Sequence, residues 1–149
     1  MKIAIGCDQA GVLLKNELIK HLEGKQIQMI NKGCDSLEVT NYPIYAKAVA
    51  EAVVKKEVDL GILICGSGIG ISIAANKVNG IRAVVCSEPY SAKLSREHND
   101  SNILALGARV VGFELAKMIV DEWLNASFMG GIHQERIDMI AAMERKESF

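Results

Sequence analysis

Residues 59–77 read DLGILICGSGIGISIAANK, and this stretch decides the fold. Segment 60–64 is a short, continuous apolar run, which is typical of a strand buried on both faces of a parallel sheet. From about Ile71 onward, the alanine and isoleucine content indicates a helix that packs on that sheet. Between them lies a turn, residues 65–70, that contains three glycines. The stretch therefore predicts a strand, a glycine-rich turn and a helix.

Strands alternate with helices on both sides of this unit. Strands are predicted at 2–5, 27–30, 60–64, 81–86 and 103–106, and helices at 13–22, 42–53, 71–77, 89–94, 113–123 and 133–145. Because short loops join them, the pattern predicts an α/β fold whose parallel sheet is covered by helices on both faces. No internal repeat or linker interrupts it, so residues 1–149 are predicted to form a single domain.

Composition excludes several classes of function. The formal net charge of −1 gives no reason to expect nucleic acid or an anionic membrane as a partner. No apolar stretch reaches the ~18–20 residues of a membrane-spanning helix. The four cysteines are dispersed, which is typical of reduced thiols in a cytoplasmic protein. The three histidines lack ligand spacing, so neither a metal nor a cofactor is predicted.

The last predicted helix, 133–145, is unusual for a monomer. It follows Gly130 and Gly131, carries apolar residues such as Ile137 and Ile140, and has no strand after it. The helix could pack on its own sheet or cross to a second subunit. We favour the second arrangement, because twofold dimers are the commonest oligomers.

Chemically capable side chains follow four of the predicted strands. Asp8 comes after the first strand, Cys65 and Ser67 after the third, Ser87 after the fourth and Arg109 after the fifth. The carboxyl ends of parallel strands share one edge of the sheet, which is where open α/β sheets bind ligands. Glycines in the 65–70 turn would let a ligand approach main-chain N–H groups. We therefore expect these residues to form one site.

His98 and Asn99 have a different position, because they precede the fifth strand. They should lie away from the carboxyl edge of their own sheet. If they take part in the chemistry, we expect them to reach a neighbouring subunit's site across a dimer interface.

Each candidate also has an ordinary structural interpretation. Asp8 could be the N-cap of the first helix, and His98 could be a solvated histidine at a helix end. Arg109 and Arg136 could be surface charges, although two arginines near one site would suit a phosphate. Cys7, Cys34 and Cys86 are expected to be small buried hydrophobic residues.

The combined set fits one kind of reaction. A thiol, a hydroxyl, main-chain N–H groups, a carboxylate and an imidazole are suited to removing a proton next to a carbonyl, with the N–H groups stabilising an enediolate. A nucleotide-binding module is disfavoured, because the turn lacks both the Gly-Lys-Ser/Thr ending and the dinucleotide fingerprint.

Six motifs together carry a resemblance to a known family: residues 6–11 (GCDQAG), 65–77 (CGSGIGISIAANK), 80–83 (GIRA), 90–92 (YSA), 98–100 (HND) and 107–112 (GARVVG). They resemble type B ribose-5-phosphate isomerase, a family that includes the allose-6-phosphate and galactose-6-phosphate isomerases. The resemblance implies a Rossmann-like three-layer sandwich with a five-stranded parallel sheet. It also implies a homodimer or dimer of dimers with shared active sites, acting on a small sugar phosphate without a metal or cofactor.

The resemblance also implies a role for each matching residue. Cys65 would be the base that moves a proton between C1 and C2, because the family's alternative glutamate position is occupied by Ile71. Ser67 would handle the O1 and O2 protons, and His98, with Asp8 bound to sugar hydroxyls, would open the furanose ring. The implied substrate-binding residues are Gln9, Gly66, Gly68, Ile69, Gly70, Asn99, Arg109, His133 and Arg136.

Two positions depart from the pattern of the ribose-phosphate enzymes. Gln9 stands where they usually have histidine, and Ile132 where they usually have arginine, both toward the phosphate end of the substrate. Three hypotheses follow: a ribose-5-phosphate isomerase that tolerates these changes, an isomerase of another sugar or sugar phosphate such as a tetrose 4-phosphate, and a non-catalytic sugar-phosphate binder. The presence of Cys65 and His98 argues against the binder, which needs no base.

Overall fold

The computed structural model describes residues 1–148 and has the predicted alternation of strands and helices. The strands are β1 (Lys2–Cys7), β2 (Gln28–Asn31), β3 (Leu60–Cys65), β4 (Ala83–Val85) and β5 (Ile103–Gly107). The helices are α1 (Val12–Glu23), α2 (Tyr42–Val54), α3 (Ile69–Ala75), α4 (Pro89–Asn99), α5 (Phe113–Asn125) and α6 (Ile132–Glu144), and a 3₁₀ turn (Gln9–Gly11) precedes α1. Within residues 1–148, no helix has both the length and the apolar character to cross a membrane.

All five strands are parallel, in the order β2-β1-β3-β5-β4. The strand from the glycine-rich stretch, β3, is therefore the central one. Its end is aligned with its neighbours, since Cys7 of β1 pairs with Ile64 and Cys65 pairs with Gly107 of β5. The carboxyl ends of β1, β3 and β5 consequently meet at one edge, as predicted.

Helices cover both faces of the sheet, which confirms the three-layer sandwich. Alternate residues of β3 enter two different cores: Ile62 and Ile64 pack in the core that contains buried residues of α1 and α5, and Leu63 and Cys65 in the one that contains those of α2 and α3. A strand buried on both faces must be apolar throughout, which explains the continuous apolar run in the sequence.

The sequence-based boundaries are wrong around β4 and α4. β4 is shorter than the predicted 81–86, and α4 continues to Asn99 instead of ending at residue 94. Two arginines stabilise the extra turn. Arg96 donates locally, to a carboxylate oxygen of Asp100 at 2.8 Å, and Arg82, from the segment before β4, donates to the carbonyl of Asn99 at 2.9 Å. The polar composition of this segment is typical of a loop, and the arginine contacts override it.

The last helix packs mainly against α4 of its own chain. Ile137 and Ala142 are buried, and the Glu144 carboxylate accepts from the N–H of Gly80, in the loop before β4, at 2.9 and 3.0 Å. The helix thus contacts both α4 and the loop before β4 of its own chain. Its contact with a second subunit stays a prediction.

A completely buried lysine ties α1 to the loop that follows β2. The Lys15 ammonium donates to the side-chain oxygen of Asn31 at 3.2 Å and to the carbonyl of Cys34 at 2.9 Å, and forms an ion pair with Asp35. Buried lysines need such partners, because an unpaired buried charge is very costly. The helical pattern around Lys15 contains no sign of this role, and sequence reasoning missed it.

We expect Lys15→Met to lower the free energy of unfolding by about 1–3 kcal/mol, since it leaves the buried Cys34 carbonyl without its donor. Hydrogen bonds from Lys15, then Asn31, lower the pKa of Asp35. A carboxyl with a lowered folded pKa stabilises above its unfolded pKa and loses that contribution as the pH falls. The difference in the free energy of unfolding between wild type and Lys15→Met should therefore become smaller below about pH 4.

Urea unfolding at neutral and acidic pH measures both effects. Lys20→Met on the same helix is the matched control, because the Lys20 side chain is 73% exposed and its ion pair is on the surface. Equal losses in the two variants would contradict the role of Lys15.

Candidate functional site

The turn between β3 and α3 needs glycine at its centre. Gly68 has φ of +79°, in the left-handed region, and a Cβ there would lie 2.8 Å from the main-chain carbon of Leu106. Any side chain would therefore be strained and would also collide with β5. The turn is held against the next loop too, because the N–H of Arg109 donates to the carbonyl of Gly66 at 3.0 Å.

Cys65 is the last residue of β3, and its thiol is free and only 4% exposed. Its Sγ accepts a hydrogen bond from the N–H of Gly68 at 3.2 Å. A main-chain donor aimed at the sulfur stabilises negative charge on it. The cysteine is therefore placed to accept and release a proton.

An open cavity of about 610 Å³ lies over this turn at the carboxyl edge of the sheet. It is lined by Asp8, Tyr42, Cys65, Gly66, Ser67, Ile69, Gly70, Arg109 and Val110. The residues predicted to gather after β1, β3 and β5 thus share one cavity, whereas Ser87, expected with them after β4, lines a neighbouring cavity together with Ser67. Among residues 1–148, no group of three histidine, cysteine or acidic side chains could hold a metal ion there or elsewhere.

Asp8 combines the two roles that the sequence left open. Its carboxylate accepts from the N–H of Ala10 at 3.0 Å, so it caps the 3₁₀ turn before α1. Although it is only 7% exposed, it also lines the cavity. The cap fixes the carboxylate, and its remaining lone pairs can accept from ligand hydroxyls.

Two of the main-chain N–H groups predicted to face a ligand are already used inside the turn. The N–H of Gly68 donates to Cys65, and that of Ile69 donates to the Ser67 hydroxyl oxygen at 3.2 Å. Substrate binding by Gly68 and Ile69, which the resemblance implies, stays a prediction. Gly66 and Gly70 line the cavity, and the N–H of Gly70, in the first turn of α3, has no acceptor within the helix.

Arg109 supplies the cation of this cavity. Its side chain covers Gly66, where a Cβ would lie 3.4 Å from the Nη1 atom of the guanidinium. Its side chain is in no salt bridge found within residues 1–148, and it lines the cavity. A guanidinium without an internal partner at a cavity wall suits a phosphate or carboxylate ligand.

Sequence reasoning missed Tyr42. It is the first residue of α2, and its ring lies against Gly70, where a Cβ would be 2.7 Å from the phenolic oxygen. The aromatic ring and hydroxyl therefore form one wall of the cavity. Its place could have been inferred, because α2 starts at the carboxyl edge of the sheet, but the Tyr-Pro pair indicated only the beginning of a helix.

Gln9 lies beside the cavity without lining it, and its orientation is fixed. Its side-chain oxygen accepts from the N–H of Thr40 at 3.1 Å, in the loop between β2 and α2. Because a main-chain N–H can only donate, the amide oxygen must face Thr40. The amide NH₂ group is left free to act as a neutral donor.

The remaining candidates form a separate cluster at the other edge of the sheet, as predicted for His98 and Asn99. His98 and Asn99 end α4, and His133 and Arg136 are on the first two turns of α6. The rings of His98 and His133 are stacked, with centroids 4.2 Å apart and planes 7° apart. None of the four lines the cavity of their own chain.

The other cysteines are buried, as predicted. Burial raises the pKa of Cys7 to about 12 and that of Cys86 to about 11, so both thiols are protonated at neutral pH. The sulfur of Cys34 donates to the carbonyl of Ser36 at 2.9 Å.

We therefore expect a small alkylating reagent to modify Cys65 first. Cys65 is the cysteine that lines the cavity, whereas burial raises the pKa of Cys7 and of Cys86, and a protonated thiol reacts slowly. Iodoacetamide followed by peptide mapping measures the order of labelling at neutral pH. Earlier labelling of Cys7 or Cys86 would contradict the assignment.

Comparisons with known proteins find similar proteins over almost the whole chain. The model of the ribose/galactose isomerase family matches residues 3–140. The chain is 61% identical over 147 residues to ribose-5-phosphate isomerase B of Escherichia coli K12, covering 99% of both proteins. It is 43% identical over 148 residues to D-erythrulose-4-phosphate isomerase of Pectobacterium atrosepticum, covering 99% of this chain and 97% of that protein.

A solved structure has the same fold over almost the whole chain. The ribose-5-phosphate isomerase B of Clostridium thermocellum superimposes with a TM-score of 0.97 at 53% identity, covering 99% of this chain and all of that one. Both the sequence match and the fold match extend over essentially the complete domain, including the glycine-rich turn. The chain therefore belongs to the ribose/galactose isomerase family.

Proposed function

We propose that this protein interconverts ribose 5-phosphate and ribulose 5-phosphate through a cis-enediolate. The observation that carries the proposal is the placement of the Cys65 thiol, the Ser67 hydroxyl and the Asp8 carboxylate in one cavity with an arginine at its wall. The high identity to a protein named ribose-5-phosphate isomerase B supports ribose 5-phosphate over the sugars of more distant relatives.

The proton movements can be assigned to this chain's residues. The Cys65 thiolate takes the proton from C2 of the open-chain aldose, which leaves an enediolate, and returns a proton to C1. Ser67 moves the remaining proton from O2 to O1, so that the ketose forms with no net gain or loss. Ile71 occupies the alternative base position, and it is completely buried in the core. Its hydrocarbon side chain cannot accept a proton, so it cannot replace the thiol.

Charge developing on the enediolate oxygens needs donors that are already in place. The N–H of Gly70 and the neighbouring turn are suited to this, because fixed main-chain dipoles need no reorganisation during the reaction. Asp8 would hold the sugar hydroxyls, and Arg109 would hold the phosphate. Gln9 would add a neutral hydrogen bond near that end of the substrate.

Ring opening requires a second group, because the furanose form has no free carbonyl. A base must remove the O1 proton while an acid protonates the ring oxygen. We assign this step to His98, assisted by Asn99, from a second copy of the chain, since neither residue lines the cavity of its own chain. Arg136 and His133 would approach the substrate with them.

The surface supports association of two copies. Large apolar side chains are exposed on α3, α4 and α6, with Ile73 at 55%, Tyr90 at 71% and Met143 at 64% exposure. Apolar patches of this kind mark interaction surfaces. A homodimer or a dimer of dimers would bury them and complete the site.

An isomerisation assay with a panel of sugars tests the function. Ribose 5-phosphate should be converted fastest, ahead of allose 6-phosphate, galactose 6-phosphate, erythrulose 4-phosphate and the free sugars. Faster conversion of another sugar phosphate would instead identify an isomerase of different specificity. Failure to convert any of them would favour a non-catalytic binder.

The double change Gln9→His with Ile132→Arg should lower KM for ribose 5-phosphate by roughly ten- to a hundredfold, because each adds a charge-assisted donor near the phosphate. Ile132 is 58% exposed at the start of α6, so arginine fits there without disturbing the core. Ile140→Arg, on the same helix and 43% exposed, is the control. An unchanged KM would show that the phosphate is held elsewhere.

A further inference from the structure

The stacked imidazoles of His98 and His133 are a built feature of this fold. The two residues are 35 positions apart in the sequence (133 − 98), yet their rings lie face to face with centroids 4.2 Å apart. The contact joins the last turn of α4 to the first turn of α6. Both residues are half-buried, so the stacked pair lies at the protein surface but is partly shielded from solvent.

The main chain around the pair is anchored on both sides. The N–H of Met129 donates to the carbonyl of Glu97 at 3.0 Å, which fixes the segment before α6 to the end of α4. Gly131, with φ of +58°, then turns the chain so that His133 follows at once on the new helix. The N–H of His133 donates to the carbonyl of Gly130 at 3.1 Å. These main-chain contacts fix the backbone segments from which the two rings project.

Charge around the pair favours a neutral His133. Partial burial, then the neighbouring His98, then Arg136 lower the pKa of His133. A neutral imidazole can lie flat on its neighbour without repelling it. An uncharged His133 ring is therefore suited to lie flat against the His98 ring.

We propose that His133 is a positioning residue whose imidazole packs on His98 and holds that ring in the orientation that opens the sugar. The proposal rests on the function proposed above, in which His98 performs ring opening in a second subunit's site. It changes the expected role of His133 from a substrate contact to a support. A free histidine side chain rotates about two bonds, and small misplacements of a catalytic group cost large factors in rate.

The first measurement is independent of catalysis. The chain has three histidines, so their ring protons can be resolved by NMR and assigned by single substitutions. Stacking shifts the His98 ring protons upfield through the ring current of its neighbour. His133→Ala should remove this shift, and His133→Phe should keep it. His21, which bonds Asp121 at 2.9 Å far from the pair, is the internal reference.

The second measurement separates ring opening from proton transfer. Ribulose 5-phosphate cannot form a furanose ring, so exchange of its C1 protons with D₂O requires Cys65 but no ring opening. In His133→Ala, kcat for ribose 5-phosphate should fall by roughly ten- to a hundredfold, with KM and the exchange rate close to wild type. His133→Phe should recover most of the lost kcat, because it preserves the flat support.

The control variants make every outcome decisive. Gln134→Ala changes the next residue of α6, which is exposed, and should leave the NMR shift, kcat, KM and the exchange rate unchanged. A higher KM alone in His133→Ala would make His133 a substrate contact, and an unchanged kcat or an unchanged NMR shift would refute the positioning role. If His98→Ala itself left kcat unchanged, the fault would lie in the proposed role of His98 and not in the stack.

Discussion

Replacing Cys65 with alanine is expected to abolish isomerisation and to leave sugar-phosphate binding largely intact. A positioned acid or base contributes roughly 10²–10⁴-fold to a rate, and the cavity of this chain offers no second base at the alternative position, where Ile71 is buried. Asp8 and Arg109 remain in the variant, so the contacts that hold the ligand persist. The expected result is a large loss of kcat with a nearly unchanged Kd.

Two further variants make this result specific to the thiol. Cys65→Ser keeps the size and the hydrogen bond from Gly68, but an alcohol is too weak an acid to cycle through its anion, so it should be as inactive as alanine. Cys86→Ala is the matched control: this cysteine is also buried and also follows a strand, β4, but burial raises its pKa to about 11 and it does not line the cavity.

The measurements are steady-state isomerisation of ribose 5-phosphate, calorimetric titration of the ligand, and exchange of the C1 protons of ribulose 5-phosphate in D₂O. Loss of both turnover and exchange in the two Cys65 variants, but not in Cys86→Ala, would support Cys65 as the base. Wild-type exchange in Cys65→Ala would show that another group moves the proton.

The glycine-rich turn and its strand were predictable because local physics determines them. A strand buried on both faces must be apolar throughout, and a left-handed turn packed against β5 must contain glycine. Residues Leu60–Cys65 meet the first demand and Gly68 meets the second, since its φ is +79° and a Cβ there would strike Leu106. The position of Asp8, Ser67 and Arg109 at one edge then follows from parallel strand direction alone.

Other features depend on contacts between distant segments, which no local pattern encodes. The extra turn of α4 is stabilised by Arg82, from the segment before β4, and by Arg96, whose guanidinium lies 5.8 Å from the ring of Trp123. Read locally, the sequence around Arg96 is simply polar. The burial of Lys15 and the stack of His98 on His133 also arise from packing between elements that are remote in sequence.

The same topology explains why the proposed site needs two copies. In a parallel sheet, the helix after a strand returns to the opposite edge, so α4 carries His98 away from the carboxyl edge where Cys65 lies. No rotation of a side chain can span the height of the sheet. A twofold axis can bring the end of α4 from one copy to the carboxyl edge of the other, and it does so twice.

Mixing two inactive variants should therefore restore activity. Cys65→Ala and His98→Ala are each expected to lose isomerisation, because one lacks the base and the other the ring-opening group. In a mixed dimer, one site combines both substitutions, and the other contains an intact Cys65 from one chain and an intact His98 from its partner. After unfolding and refolding equal amounts together, about a quarter of the wild-type activity should return, because half of the dimers are mixed and each has one working site.

The contrasting pair of variants decides where the site is shared. Cys65→Ala mixed with Asp8→Ala should recover nothing, since Asp8 and Cys65 line the cavity of the same chain and every mixed dimer then has a defect in each site. Refolded wild type gives the reference rate, and size-exclusion chromatography verifies that the dimers have re-formed. Recovery with both pairs would mean that Asp8 also acts in the partner's site, and recovery with neither would mean that His98 acts in the same chain's site as Cys65. Only recovery with the His98 variant and none with the Asp8 variant fits a site that takes Cys65 and Asp8 from one chain and His98 from the other.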